Sequence, residues 1–376
     1  MLKGNEVIYQ IFVRNYSNDG SFKSIENDLQ RIKDLGVDII YLMPINEIGN
    51  KNRKGTYGSP YASKDYFSIS PDLGTLDDLK NLIKATHEKG MKIIVDMVFN
   101  HTAPDSKLFL EHPEFYYRKS DGSVGNRVGD WSDIIDLDTS REDTQNYLIS
   151  VLEYWKNVGF DGFRFDVASM IDLNLFKKAR QKLGNEVIFL SESIDDGFVD
   201  YVKQFGIIST PDEDMFPTFD CLYNYSWYRP LESYLKNECD IQKVIDAINR
   251  DKDRMPKNYL RCNCLENHDN DRIANLVKNK SLLKEWIRFS FYLKGCPFIY
   301  AGEEYGITHK PNLFEKDPIN WENLDIEINN LFKDLIVKVH NCMYIDYNVC
   351  EKANNKIIVK RIKENRVIES GEFILE

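Results

Sequence analysis

Short apolar runs alternate with longer amphipathic stretches along most of the chain, the rhythm expected of buried strands and half-buried helices. The run EVIYQIF, from Glu6, is followed by SIENDLQRIKDLG, in which Ile25, Leu29, Ile32 and Leu35 share one helical face. DIIYL at 38–42 reads as the second strand, and LDDLKNLIKATHEKG as a helix stopped at Gly90. The beat continues through strand KIIVDMV, helix DTQNYLISVLEYWKNVG, strand DGFRFDV, helix DLNLFKKARQKLG and strand EVIFLSE. After DCLYNY and a helical stretch to about residue 250 come strand YLRCNCLEN, helix SLLKEWIRFSFYLKG, strand PFIYAG and helix INNLFKDLIVKVHNC. With DCLYNY as the sixth strand, there are eight strand-then-helix units.

Such alternation predicts a parallel sheet with right-handed crossovers. Eight units fit a closed (β/α)8 TIM barrel better than a doubly wound sheet, and no Gly-rich dinucleotide fingerprint follows the first strand. A barrel needs about 250 residues, so part of the 376-residue chain lies in additions. The polar, aromatic stretch PEFYYRKSDGSVGNRVGDWSD marks one of them, a long connection of the kind that carries function. The division expected is a barrel over 1–101 and 139–342, an insertion over 102–138 after the third strand, and a tail over 343–376.

Charge narrows the partners. The 49 basic and 60 acidic residues leave a net charge of −11, which argues against nucleic acid, since phosphate-backbone binders are basic. No apolar run reaches the ~18 residues of a membrane span, and the start lacks the segments of a secretory signal. Seven cysteines, odd in number and scattered, suggest reduced thiols in a cytoplasmic protein. Cys262 and Cys264 face the same side of a strand and read as small core fillers rather than zinc ligands.

Catalytic groups in a barrel gather at the C-terminal ends of its strands. The third strand ends in DMVFNH, with Asp96, Asn100 and His101, and the fourth supplies Arg164 and Asp166. The fifth ends at Glu192 and the seventh continues into LENHDNDR, with His268, Asp269 and Arg272. An acid at one strand end is often a helix cap; four strand ends carrying acids, histidines and arginines together call for another explanation. Two carboxylates across a sugar-sized gap are the requirement of glycoside hydrolysis, one as nucleophile and one as proton donor. Zinc on His101 and His268 is the weaker reading, because neither belongs to a close histidine pair.

DMVFNH, DGFRFDVAS, FLSES and LENHD resemble, in order and spacing, the four signature regions of the α-amylase superfamily of retaining glycoside hydrolases. The resemblance covers about residues 6 to 306 and includes the insertion, which that family calls domain B. It implies Asp166 as nucleophile, Glu192 as general acid/base and Asp269 as transition-state stabiliser. It further implies that Arg164 orients Asp166, that His101 and His268 hold sugar hydroxyls, and that Tyr61 stacks on the sugar being cleaved. Trp131, Trp227 and Trp321 are candidate outer platforms or packing residues. No cofactor is required by this chemistry. The family's calcium site, if kept, would use Asn100 and Asp136, although Met170 stands where many relatives carry histidine and the insertion is short.

The expected activity is retaining cleavage of α-glucosidic bonds in maltodextrin or α-glucan. Transglycosylation and a catalytically silent carbohydrate-binding barrel are the alternatives. In the tail, NKIIVKRI and VIESGEFIL around the turn KENR predict a β-hairpin, a truncated remnant of the all-β domain that follows the barrel in relatives. Its apolar residues need cover, either from the barrel's outer helices in a monomer or from the same segment of a second molecule in a dimer. Docking within the chain is favoured because it avoids the entropy loss of association.

Overall fold

The structure, a computed structural model, describes residues 2–128, 131–322 and 324–375. Gly129 and Asp130 of the expected insertion, Asn323 of the expected barrel, and Met1 and Glu376 lie outside the described residues. Eight strands close a parallel barrel: β1 Ile8–Ile11, β2 Ile39–Leu42, β3 Lys92–Met97, β4 Gly162–Phe165, β5 Ile188–Ser191, β6 Cys221–Tyr223, β7 Arg261–Asn263 and β8 Cys296–Tyr300. Each pairs with its neighbours in sequence, and β8 returns to β1 with Ile8 opposite Phe298. All eight short strands are buried, apart from Lys92 at the start of β3, which is why they read as apolar runs without alternation. Aromatic rings fill one side of the wall, where Phe165 meets Phe176, Phe189 and Phe219 at 4.9, 5.0 and 5.9 Å.

The outer helices bury the faces their periodicity marks. Helix α1 (Phe22–Leu35) buries Ile25, Leu29, Ile32 and Leu35, and ends at Gly36 with φ 102°. Helix α2 (Leu76–Glu88) starts in a capping box in which Thr75 and Asp78 satisfy each other's backbone N–H. Around the ring follow α3 Glu142–Val158, α4 Leu173–Leu183, α5 Asp196–Lys203, α6 Tyr225–Leu235, α7 Gln242–Arg254, α8 Lys280–Tyr292 and α9 Ile326–His340. The helical stretch before residue 250 is thus two helices, α6 and α7, separated at residues 236–241.

The insertion leaves the barrel at His101–Thr102 and returns at Ile135–Asp136, the two dipeptides pairing antiparallel. The tail is larger than a hairpin. Strand β9 (Tyr347–Ala353) joins β10 (Lys356–Lys363) and β11 (Arg366–Ile374) in a three-stranded antiparallel sheet. The expected turn falls at Glu364 and Asn365, both with positive φ as a tight hairpin requires. The extra strand is held by its ladder with β10 and, from the barrel side, by Asn249 of α7, which hydrogen-bonds the backbone N–H and C=O of Cys350 at 2.8 and 2.9 Å. Ile357, Val359, Phe373 and Leu375 are buried, and the Phe373 ring meets Phe289 and Tyr292 of α8 at 5.5 and 5.4 Å. Ile368 and Ile374 lie on the exposed side of the sheet. The sheet therefore packs on the barrel's outer helices within one chain.

Candidate active site

Because the strands are parallel, their C-terminal ends share one face, and the polar residues there converge. At the centre is Arg164 on β4, with no exposure to solvent. Its Nη1 donates to Asp166 Oδ1 at 2.9 Å and to both Asp96 oxygens at 2.9 and 3.0 Å. Its Nη2 lies 2.9 Å from Glu192 Oε2 in an ion pair. Three carboxylates thus surround one guanidinium, which they hold charged against the cost of burial.

This surplus of negative charge sets the protonation. Burial pushes the Asp166 and Glu192 carboxyls above the ordinary range; Glu192 adds repulsion on Asp166, Asp269 does so on Glu192, and Arg164 opposes both shifts. Such a pair retains one proton readily. Arg164 reaches both members of the pair, through Nη1 to Asp166 and Nη2 to Glu192. That carboxyl is also fixed from behind, since Oε2 accepts from the backbone N–H of Val167 at 2.7 Å. Val167 pays for this position in strain, with φ 36° and ψ 44° on a β-branched residue.

Across the pocket, Asp269 lies 3.1 Å from His268 Nε2. Although the Asp269 side chain is 41% exposed, the cleft walls desolvate it enough to raise its carboxyl, and His268, with help from Arg164 and Lys310, more than reverses this and pulls it well below the carboxylate range. The Tyr61 ring stacks on His268 at 5.1 Å and 14°, with its hydroxyl 2.7 Å from Nε2 and 2.9 Å from Asp96. His101 is buried, and burial lowers its pKa despite Asp136 and Asp133 nearby.

All seven residues expected to act on substrate therefore lie at one mouth, and six of them, Tyr61, His101, Asp166, Glu192, His268 and Asp269, line one cavity of about 460 Å³. Arg164 stands beneath it. Trp131 lines the same cavity, whereas Trp227 packs against Phe289 of α8 and Trp321 donates its indole N–H to Tyr16 O. Sequence reasoning missed Gln10 on β1, whose Nε2 lies 2.9 Å from His268 Nδ1. It also gave no role to Asp96, which joins Arg164 to the hydroxyls of Tyr41 and Tyr61. A lone polar residue inside each apolar run, Gln10 in EVIYQIF and Asp96 in KIIVDMV, was the available signal. Phe198 of α5, Arg229 of α6 and Phe314 of the loop after β8 also line the cavity and had no local signature.

The residues suggested for calcium have partners within the chain. Asp136 Oδ2 already accepts from the backbone N–H and Nε of Arg127 at 2.9 and 3.0 Å, so an internal cation sits on it. The guanidinium also lies over the Tyr117 ring at 5.1 Å. Asn100 turns its amide towards His101 Nδ1 at 3.1 Å. Asp136 Oδ1 is buried without a hydrogen-bond partner.

Comparison with known proteins follows the same lines. A family model described as the α-amylase catalytic domain matches residues 10–123 and 128–348. The chain is 26% identical over 361 residues to α-amylase 3 of Dictyoglomus thermophilum, covering 84% of this chain and 67% of that protein. It is 24% identical to the intracellular maltogenic amylase of Bacillus subtilis, covering 93% and 61%. The curated relatives are longer; the matches span 49% to 67% of the first four. Among solved structures, an α-amylase from Lactobacillus plantarum superposes with TM-score 0.89 at 37% identity, covering 95% of this chain and 88% of that one. A maltogenic α-amylase from Thermotoga neapolitana gives 0.81 at 30%, covering 96% and 85%.

Proposed function

Because the chain belongs to the α-amylase family, we propose that it is a glycoside hydrolase that cleaves α-glucosidic bonds of maltodextrins and related α-glucans with retention. The observation that carries this reading is the shared guanidinium: Asp166 and Glu192 both rest on Arg164, one hydrogen-bonded and one ion-paired, at the floor of a sugar-sized cavity. The Asp166 oxygen attacks the anomeric carbon while the Glu192 proton passes to the departing glycosidic oxygen. The bond to the leaving sugar breaks as the bond to Asp166 forms. Glu192, now ionised, takes a proton from water, whose oxygen displaces Asp166 and restores both carboxyls. Asp269, held ionised, faces the positive charge that develops on the ring between these steps. Tyr61, His101 and His268 bind the same ring, and Asp96 keeps Arg164 and Tyr61 in place.

The reading needs no metal; the Arg127–Asp136 pair supports this. A cytoplasmic site of action is supported by seven cysteines that form no disulfide and by the intracellular relative from Bacillus subtilis. Incubation with maltoheptaose, with products followed by chromatography and by NMR of the anomeric proton, tests the proposal. Shorter α-anomeric products are expected. Initial release of the β-anomer would refute retention, and longer products would show transfer to sugar in place of water.

A further inference from the structure

The chemistry gives the cleft a direction. Under the mechanism proposed above, the attacked ring is assigned to Tyr61, His101, His268 and Asp269 and the leaving sugar to the Glu192 side of the same cavity, which Val167, Ile194 and Phe198 also line. Any sugar on the non-reducing side of the attacked ring must continue past Tyr61, towards Ser59, Lys54, Leu313 and Phe314. Tyr61 and Leu313 pack on one small apolar cluster there with Phe12, Met43 and Tyr300.

Two loops that hydrogen-bond to each other contribute lining residues at that end of the cleft. One, residues 50–58, follows β2; the other, residues 310–317, follows β8. Tyr57 N donates to Phe314 O at 3.0 Å and Thr56 N to Glu315 Oε1 at 2.9 Å. The buried Arg14 guanidinium donates to Gly58 O at 3.1 Å and to Leu313 O at 3.3 Å, one bond to each loop. At Gly55 the backbone has φ +64°, and a Cβ would come within 2.7 Å of the Phe314 Cβ, so the loops touch backbone to side chain. The first loop also reaches the insertion: Asn52 Nδ2 donates to Ser132 O at 3.2 Å, and Lys54 pairs with Asp133 Oδ1 at 2.9 Å. The Lys54 ammonium lies 5.9 Å from the centre of the Phe314 ring. Lys54 therefore spans from the insertion on one wall to the β8 loop on the other.

Resting on the hydrolase reading above, we propose that this strap makes the enzyme exo-acting. It admits an α-glucan by its non-reducing end, and Lys54 with Phe314 sets how far the chain enters. A chain cannot thread through a cleft blocked on that side, so bonds deep inside a polymer are out of reach. Early products from maltoheptaose are then of one short length, cut from the non-reducing end.

The test uses two p-nitrophenyl maltoheptaosides, one free at its non-reducing end and one blocked there with an ethylidene group. The free substrate should be cleaved at least ~100-fold faster, because the strap rejects the added group sterically. In Lys54→Ala, and further in Lys54→Ala with Phe314→Ala, the ratio of free to blocked cleavage should fall at least about tenfold. The ratio is measured within each variant, so loss of folded protein cancels. Equal cleavage of both substrates by the native protein would overturn exo action while leaving the hydrolase reading intact. A ratio unchanged in both variants would overturn the role of Lys54 and Phe314. Cleavage of neither substrate would overturn the hydrolase reading, and this inference with it.

Discussion

Replacing Arg127 with alanine tests whether an internal guanidinium does the work of a metal at the root of the insertion. Asp136 is 1% exposed, so its carboxylate cannot recover a lost partner from bulk water. Breaking a fully buried ion pair costs about 3–5 kcal/mol. The Arg127 side chain is 20% exposed, and its backbone N–H would still serve Asp136 Oδ2, so the cost falls to about 2–3 kcal/mol, including the lost contact with Tyr117. For a chain of 376 residues, at ~2.1 cal/mol/K per residue, that corresponds to a drop in Tm of about 3–4 °C. Thermal unfolding followed by circular dichroism, with EGTA or with added calcium, gives the readout. The native protein should be indifferent to both. Arg127→Ala should melt lower, and added calcium should not restore the loss, because Asp136 alone offers too few oxygens to hold it. Arg127→Ala combined with Asp136→Asn should lose less than Arg127→Ala alone, since no uncompensated charge remains. A native Tm that falls on chelation, or an Arg127→Ala protein as stable as the native one, would refute the reasoning.

Asp166→Asn and Glu192→Gln should each lower turnover of maltoheptaose by at least ~10³-fold with an unchanged circular dichroism spectrum. The native pH–rate profile should be bell-shaped, falling at high pH as Glu192 gives up the proton it must donate and at low pH as Asp166 takes one up; a profile flat from about pH 4 to 9 would contradict the assignment. Burial pushes the Lys294 ammonium down to about 7, so between that pH and the ordinary lysine range the unfolded chain binds more protons than the folded one. Stability should therefore rise with pH across that window, by up to ~1.4 kcal/mol per unit from this group, and Lys294→Met should flatten the rise in urea titrations. Phe373→Ala should cost about 3–5 kcal/mol, measured by urea unfolding, because the ring is 3% exposed between Phe289 and Tyr292.

What the sequence disclosed and what it withheld divide along physical lines. The acids and histidines at the strand ends were legible because a parallel barrel places every strand end on one face, whatever the intervening helices do. The buried face of α1 was legible for the same reason: its spacing is a property of the helix alone. Strand β9 was not, since YNVCEKA has little apolar alternation and is held by its antiparallel pairing with β10 and by Asn249 of a helix far away in the chain. Lys54 was invisible as a site residue. A lysine in a polar loop looks solvated until folding brings Asp133 and Phe314 to its two sides.

Closure of the barrel has a consequence for how the molecule is made. Strand β1 pairs with β2 on one side at once, but its other partner, β8, is translated some 290 residues later, as the pairing of Ile8 with Phe298 requires. Until then a growing chain carries two open strand edges, and Gln10 on β1 has no His268 to hold. Folding is therefore completed by its most distant contacts, which cost the most chain entropy and form slowly. A nascent chain truncated before β8 should be sticky and inactive even though it already contains Asp166, Glu192 and Asp269, and it is at this stage that a chaperone has most to protect.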